Sequence, residues 1–408
     1  MNVNLRLYKN EMEKELQQIL SYWMNYAVDK ENGGFYGKIS EDNIVAPGAA
    51  KGSVLNARIL WAFSAAYRQT KYQPYIEMAD RAFQYILNHF MDHENGGVYW
   101  SVDHKGIPLD SKKQVYALAF TLYGFTEYYQ ATGIKSAKQF SIELFESIEQ
   151  YSYDDENEGY FEAFTKDWQE LSDIRLSEKD ANERKTMNTH LHILEAYTNL
   201  YRCWPEEDLR KSIVKLLSNF SQYIIDSKTS HLILFFDDNW SRKSDIISFG
   251  HDIEAAWLLQ EAAEIIGDKK LITQFKSYAI EIAGAAAEAL DTDGGLIYEK
   301  ENGHWINEKH WWPQAEAMVG FFNAYQVNGQ DHFLDKSIGC WKFVQQFILD
   351  QKNGEWFWGI GEDHLPMQNQ DKAGFWKCPY HNSRACLELI RRIESSINSP
   401  VQSTYKMS

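Results

Sequence analysis

The chain has 408 residues, 44% hydrophobic and 24% charged, with a formal net charge of −17. That composition is an ordinary globular one with ample core material, and its excess acid excludes nucleic acid and anionic membrane surfaces as partners, whose phosphates would be repelled. Four cysteines without CxxC spacing (Cys203, Cys340, Cys378, Cys386) exclude a disulfide framework, and charges interrupt every long apolar run, so no membrane span or secretory leader is expected and the protein reads as cytoplasmic.

From the N-terminus, apolar residues at three- and four-residue spacing predict a helix near 8–29, followed by "ENGGFY" at 31–36. The next helix, near 52–70, is apolar almost all round except for Arg58. An unpaired Arg is rarely buried, so this helix is read as an inner one facing a polar pocket. A helix near 75–91 leads to "ENGGVY" at 94–99, and helices near 113–133 and 136–152 lead to "ENEGYF" at 156–161. Asn or Asp before Gly-Gly supplies a turn with positive φ, and the short alternating run after it suits a small hairpin.

The helix near 186–204 opens with "MNTHLHILEAY", in which Asn188, His192 and Glu195 share one face while His190 points elsewhere. After a helix near 207–226, the run 227–236 is read as a degenerate copy of the Gly motif. The helix near 249–267 begins "FGHDIEAAW". His251 and Glu254 share a face there, so the carboxylate is expected to orient the imidazole and favour its protonated form. A helix near 270–290 precedes "TDGGLIY" at 292–298, whose Tyr298 is placed to reach a pocket mouth. On the helix near 311–328, Trp312 and Glu316 lie one turn apart. A helix near 331–350 precedes "KNGEWFW" at 352–358, and a loop then carries Trp376 and His381 into the last helix, near 380–396.

Twelve helices in six pairs, with a motif recurring every 60–63 residues where it is clear, must stack to bury their apolar faces. With no polar capping repeat at either end, the pairs are expected to close into an (α/α)6 barrel, all-α with short β-hairpins in the loops at one end. Residues 1–396 are read as a single catalytic domain and 397–408 as a polar tail. Inner helices from distant repeats would bring His192, His251 and His381 towards one cavity, and the 14 tryptophans suit a cleft that holds the C–H faces of sugars.

Two chemistries compete for these residues. A metal site would use His251, Glu254 and either His192 or His381, but there is no HExxH to support it, and HxxE pairs are common by chance. Proton transfer needs imidazoles titrating near neutrality, carboxylates to tune them and aromatic walls, all of which are present.

"NTHLHILEAY", "GHDIEAAWLL", "WWPQAEAMVGF" and "WKCPYH" together resemble, in order and approximate spacing, the motifs of the cellobiose 2-epimerases of the N-acylglucosamine 2-epimerase superfamily, over essentially the whole chain. The Thr of "NTHLH" and the Trp of "HDIEAAW" lean towards the disaccharide branch. The resemblance implies an (α/α)6 barrel that epimerises C2 of a reducing-end sugar. It makes His251 and His381 the general acid/base pair and assigns His192 to ring opening. Glu254 and Glu316 become supporting carboxylates, and Arg58, Asn188, Tyr298 and Tyr116 bind substrate, with Trp312 and Trp376 stacking on sugar rings. It implies no metal and no organic cofactor, a small disaccharide as partner, and a monomer. The rival readings are a monosaccharide epimerase or isomerase acting on N-acetylglucosamine or mannose, a glycoside hydrolase using Glu254 and Glu316, and a non-catalytic toroid.

Overall fold

Two concentric rings of helices enclose the site. The computed structural model describes residues 2–398; of the tail expected at 397–408, Ile397 and Asn398 belong to the last helix, and 399–408 lie outside the described residues. The inner ring consists of α2 (Ser53–Thr70), α4 (Val115–Thr132), α6 (Met187–Tyr201), α8 (Phe249–Ile266), α10 (Trp311–Asn328) and α12 (Tyr380–Asn398). Each packs on the next, and α12 packs on α2. The outer ring is α1 (Asn2–Tyr26), α3 (Gln73–Tyr85), α5 (Lys135–Tyr151), α7 (Glu207–Asn219), α9 (Lys269–Ala286) and α11 (Asp331–Phe343). Because α1 packs on α12, the first and last helices form the sixth pair and close the (α/α)6 barrel.

The predicted helices are all present, with differences at their ends. Helix α1 starts at Asn2 rather than near 8, because Leu5, Tyr8 and Met12 continue its buried stripe. Helices α3, α7 and α11 each end in a five-residue π turn (Ile86–Phe90, Phe220–Ile224, Val344–Ile348) that runs into the Gly motif. The inner helices are buried nearly all round, as Arg58's apolar setting implied: α4 is buried without a break from Val115 to Tyr128.

Every Gly motif is a tight turn closed by one β-bridge: Val28–Phe35, Met91–Val98, Tyr153–Tyr160, Ile225–Leu232, Leu290–Leu296 and Leu349–Trp356. The fourth of these is the expected degenerate copy. At Gly34, φ is +59° and a Cβ would meet the Tyr85 ring at 2.6 Å, so both backbone and space demand glycine there.

Six antiparallel strand pairs tie each repeat to the next. They are Lys51–Gly52 with Ser101–Val102, Lys113–Gln114 with Ala163–Phe164, and Lys185–Thr186 with Phe235–Phe236. Ile247–Ser248 then pairs with Glu299–Glu301, Lys309–His310 with Gly359–Ile360, and Asp371–Ala373 returns to Ile39–Ser40. These strands precede the inner helices, so the N-termini of that ring open on one end of the barrel.

An aspartate–lysine ion pair locks five of the six turns to the strand before an inner helix, buried in all but the Asp291–Lys309 pair, whose aspartate is exposed. Asp29–Lys51, Asp92–Lys113 and Asp154–Lys185 each meet at 2.7 Å, Asp291–Lys309 at 2.8 Å and Asp350–Lys372 at 2.5 Å. The aspartate's other oxygen accepts turn N–H groups, as Asp29 does from Glu31 and Asn32. In the degenerate repeat Ile247 stands at the lysine's place, and Arg242 approaches Asp226 at 3.6 Å instead.

Candidate active site

The inner helices present side chains to the barrel axis from equivalent positions. Arg58, Phe120, His192, Glu254 and Glu316 each lie seven residues beyond Lys51, Lys113, Lys185, Ile247 and Lys309. Four places earlier the same register gives Val54, Tyr116, Asn188, Gly250 and Trp312. Gly250 is required by its neighbour, since a Cβ there would lie 2.5 Å from the Trp312 indole. That absence of side chain lets Trp312 sit beside His251, with ring centroids 4.7 Å apart.

His381, from the first turn of α12, also contacts Trp312, at 5.7 Å. His192 packs on Phe120 at 4.7 Å and on Tyr116 at 5.1 Å. Arg58 donates to the Tyr116 hydroxyl at 2.7 Å and lies 4.1 Å over the Phe120 ring, so it is buried between inner helices rather than snorkelling outward. Its Nε, like Asn188 Oδ1, is buried without a hydrogen-bond partner among the described residues. The half-buried His251, Trp312, Tyr298, Asn188 and Trp376 surround a buried floor of His192, Glu195, Glu254, Glu316, His381 and Arg384. On one side of the mouth Tyr298 stacks on His310 at 3.9 Å. On the other, Trp376 packs on Trp100 at 5.9 Å and Tyr116 at 6.1 Å.

The floor is one ionic network. Arg384 Nη2 donates to Glu254 Oε1 at 2.5 Å and Glu316 Oε1 at 2.6 Å, while its Nη1 donates to Glu195. Tyr380 donates to Glu195 at 2.5 Å. His381 Nδ1 bonds Glu316 Oε1 at 2.7 Å, and His192 Nδ1 bonds Glu195 Oε2 at 2.9 Å. With three carboxyls around one guanidinium, burial and the charge of Glu316 push Glu254 up to about 7. Burial opposes ionisation of Glu195 as well, but Arg384 and His192 pull it down to about 2.

Glu254 does not orient His251. The partner of His251 Nδ1 is Ser248 Oγ, at 2.8 Å, and Glu254 is held by Arg384 with its Oε1 3.9 Å from His381 Nδ1. Nor is the protonated form favoured: burial, with the charges of His192 and Arg58, pushes His251 down to about 3. His381 is held well below the usual imidazole value by burial and by Arg58 and Arg384. In both rings burial and the neighbouring positive charges favour the neutral imidazole.

Two rival uses of the carboxylates meet the same obstacle. Glu254, Glu316 and His381 bring potential metal ligands within 4.8 Å of one another, but the Arg384 guanidinium already bonds both carboxylate oxygens, and a cation there would be repelled by it. A glycosidase needs carboxyls on either side of the scissile bond, whereas these two converge on a single nitrogen.

The sequence signals absorbed elsewhere are structural. Thr189 donates to the buried Glu162 at 2.7 Å, and Trp257 Nε1 donates to Glu316 at 3.2 Å, so both act behind the site. His190 accepts the Tyr160 N–H at 2.9 Å. Arg384, Tyr380, Phe120 and Ser248 escaped sequence reading. The common register of the inner helices, seven residues beyond the strand position that lysine mostly fills, is the signal that would have found Phe120; Ser248 had none. All four cysteines are free, and among the described residues no helix is long and apolar enough to cross a membrane.

Comparison with known proteins bears out the fold and the family. A protein named cellobiose 2-epimerase from Bacteroides fragilis is 51% identical over 387 residues, covering 94% of this chain and 99% of that one. A solved structure of cellobiose 2-epimerase from Bacillus thermoamylovorans superposes with a TM-score of 0.90 at 41% identity, covering 95% of this chain and 100% of the other. A D-mannose isomerase structure shares the fold with a TM-score of 0.83 at 21% identity, covering 94% of this chain and 97% of that one. The sequence profile of the N-acylglucosamine 2-epimerase family matches residues 33–385, and with the barrel and the three inward imidazoles in place, the chain belongs to that family.

Proposed function

We propose that the protein inverts C2 of the reducing-end sugar of β-linked disaccharides, converting cellobiose to a glucosyl-mannose and accepting lactose or mannobiose. A cytoplasmic monomer working without metal or organic cofactor is part of that reading. Its relatives make the chain an enzyme of the isomerase class. The observation that carries the mechanism is the pair of imidazoles, His251 and His381, both in contact with Trp312.

His192, backed by Glu195, assists opening of the reducing-end ring. The C2 hydrogen then lies α to an aldehyde, and its loss gives an enediolate. His251 or His381, as a neutral ring, takes that proton and becomes imidazolium. The other ring returns a proton to the opposite face only after taking one up from solvent, and the first ring then gives its proton back to solvent. Arg58 supplies positive charge for the oxyanion, a contribution that grows in a buried site. The unpartnered Arg58 Nε and Asn188 Oδ1 favour a polyhydroxylated ligand. Trp312 and Trp376 provide apolar faces for two sugar rings, which favours a disaccharide over N-acetylglucosamine or mannose.

An NMR time course on cellobiose, lactose and β-mannobiose tests the proposal, with the C2 epimer expected and no free monosaccharide. His251→Ala and His381→Ala are each expected to lose about 10²–10⁴-fold in kcat, with circular dichroism unchanged. Near-normal rates in either variant would remove the acid/base assignment.

A further inference from the structure

His251 differs from the other two inward imidazoles in its partner. His192 and His381 each place Nδ1 on a carboxylate, which can only accept a hydrogen bond when ionised, so both rings carry their proton on Nδ1. The Nδ1 of His251 faces a hydroxyl, which can either donate or accept. Its proton position therefore depends on where the Ser248 hydroxyl points.

Ser248 occupies the cap position of α8, where a serine ordinarily accepts a helix N–H. Here it makes no such bond, although Thr186 at the same place on α6 does, accepting from Thr189 N at 3.1 Å. The Ser248 hydroxyl, fully buried, is thus left free for side-chain partners. One is His251. The other stands directly across the strand pair, where Glu299 is in register with Ser248. Burial pushes the Glu299 carboxyl up to about 7, an effect that the neighbouring Tyr298 and Ser248 hydroxyls partly offset by favouring the ionised form.

We propose that Glu299 and Ser248 are positioning residues that fix His251 as its Nδ1–H tautomer, leaving Nε2 free to accept the substrate's C2 proton. The hydroxyl has one proton, and the ionised Glu299 carboxylate, the form that prevails above about pH 7, is its stronger acceptor. With that proton committed to Glu299, the Ser248 oxygen can only accept from His251, and the ring proton must sit on Nδ1. If Glu299 were lost, the hydroxyl could turn and donate to Nδ1, moving the ring proton to Nε2 and blocking the base. Glu299 thus acts on the reaction through two intervening groups without touching the sugar. This inference rests on His251 being a proton-transferring base.

Two-bond proton–nitrogen correlation spectra of nitrogen-15 histidine-labelled full-length protein read the tautomer directly, with His251 assigned by its disappearance in His251→Gln. The wild type is expected to show the Nδ1–H form. Ser248→Ala and Glu299→Met are expected to shift His251 towards Nε2–H and to lower kcat about 10²-fold with KM nearly unchanged. Ser248→Thr and Glu299→Gln, which keep a hydroxyl and an acceptor, should restore both. An Nε2–H form in the wild type, or unchanged tautomer and kcat in Ser248→Ala and Glu299→Met, would overturn the assignment. The tautomer is measured without substrate, so a wild type inactive on every disaccharide would count against the functional reading while the spectrum still decides this one.

Discussion

His190 shows how a buried imidazole can be structural two residues from one assigned to the proposed site. Its Nε2 accepts the Tyr160 N–H and its Nδ1 donates to Thr186 O at 2.6 Å, so a second ring proton would face an N–H donor. Burial is the main cause that pushes it down to about 4. An unfolded histidine titrates near 6.5, so between pH 6.5 and 4 the unfolded chain binds a proton that the folded one refuses. Stability must fall as pH falls through that window, by about 3 kcal/mol at its lower end from this residue alone. Gln314 stands at the equivalent place on α10 and accepts the Leu296 N–H at 2.7 Å while donating to His310 O at 3.1 Å. His190→Gln is therefore expected to keep both bonds and to flatten the dependence of Tm on pH between 6.5 and 4. An unchanged slope would show that His190 is not the acid-sensitive group. At this scale the sequence was informative about face but not about partner. The i, i+4 and i+7 spacing placed Asn188, His192 and Glu195 together, yet His251 and Glu254 on one face did not become a pair. Arg384, from a helix remote in sequence, captured the carboxylate.

The strand-and-turn units between helices owe their uniformity to the aspartate–lysine pairs. Asp92 and Lys113 are both fully buried, so removing one leaves the other uncompensated, at a cost of about 3–5 kcal/mol. Lys113→Met should lose about that much in chemical denaturation. The double variant Asp92→Asn/Lys113→Met should recover most of it, because Asn still accepts the Glu94 and Asn95 N–H groups and no charge is stranded. Equal losses in single and double variants would contradict the pairing argument. The Gly-Gly turns were legible because positive φ has few alternatives to glycine. Their locks were not, because a lysine some twenty residues from its aspartate looks like any solvated charge. The π turns ending α3, α7 and α11 were also hidden, since a five-residue widening leaves the apolar stripe intact.

Closure of the ring was legible from the six helix pairs and the missing polar caps, but its fastening was not. Glu355, fully buried, accepts from Trp23 Nε1 on α1 at 3.2 Å, Lys377 Nζ at 2.8 Å and Asn382 Nδ2 on α12 at 2.7 Å. It therefore joins the first helix, the last helix and the loop that carries Trp376. Glu355→Met strands the buried Lys377 and is expected to cost about 3–5 kcal/mol, with a higher KM for cellobiose as Trp376 loses its support. A variant with wild-type Tm and KM would show that closure does not depend on it. What the closed ring achieves is convergence: imidazoles from α6, α8 and α12 meet over one pocket floor although nearly 190 residues separate the first from the last. The claim that follows is that two of them exchange a single hydrogen of the sugar. Incubation of cellobiose with enzyme in D2O, followed by NMR of the product, tests this most directly. Deuterium at C2 of the reducing-end mannose, at a rate unaffected by a chelator, is the predicted result. Epimer formed with hydrogen retained at C2 would contradict it.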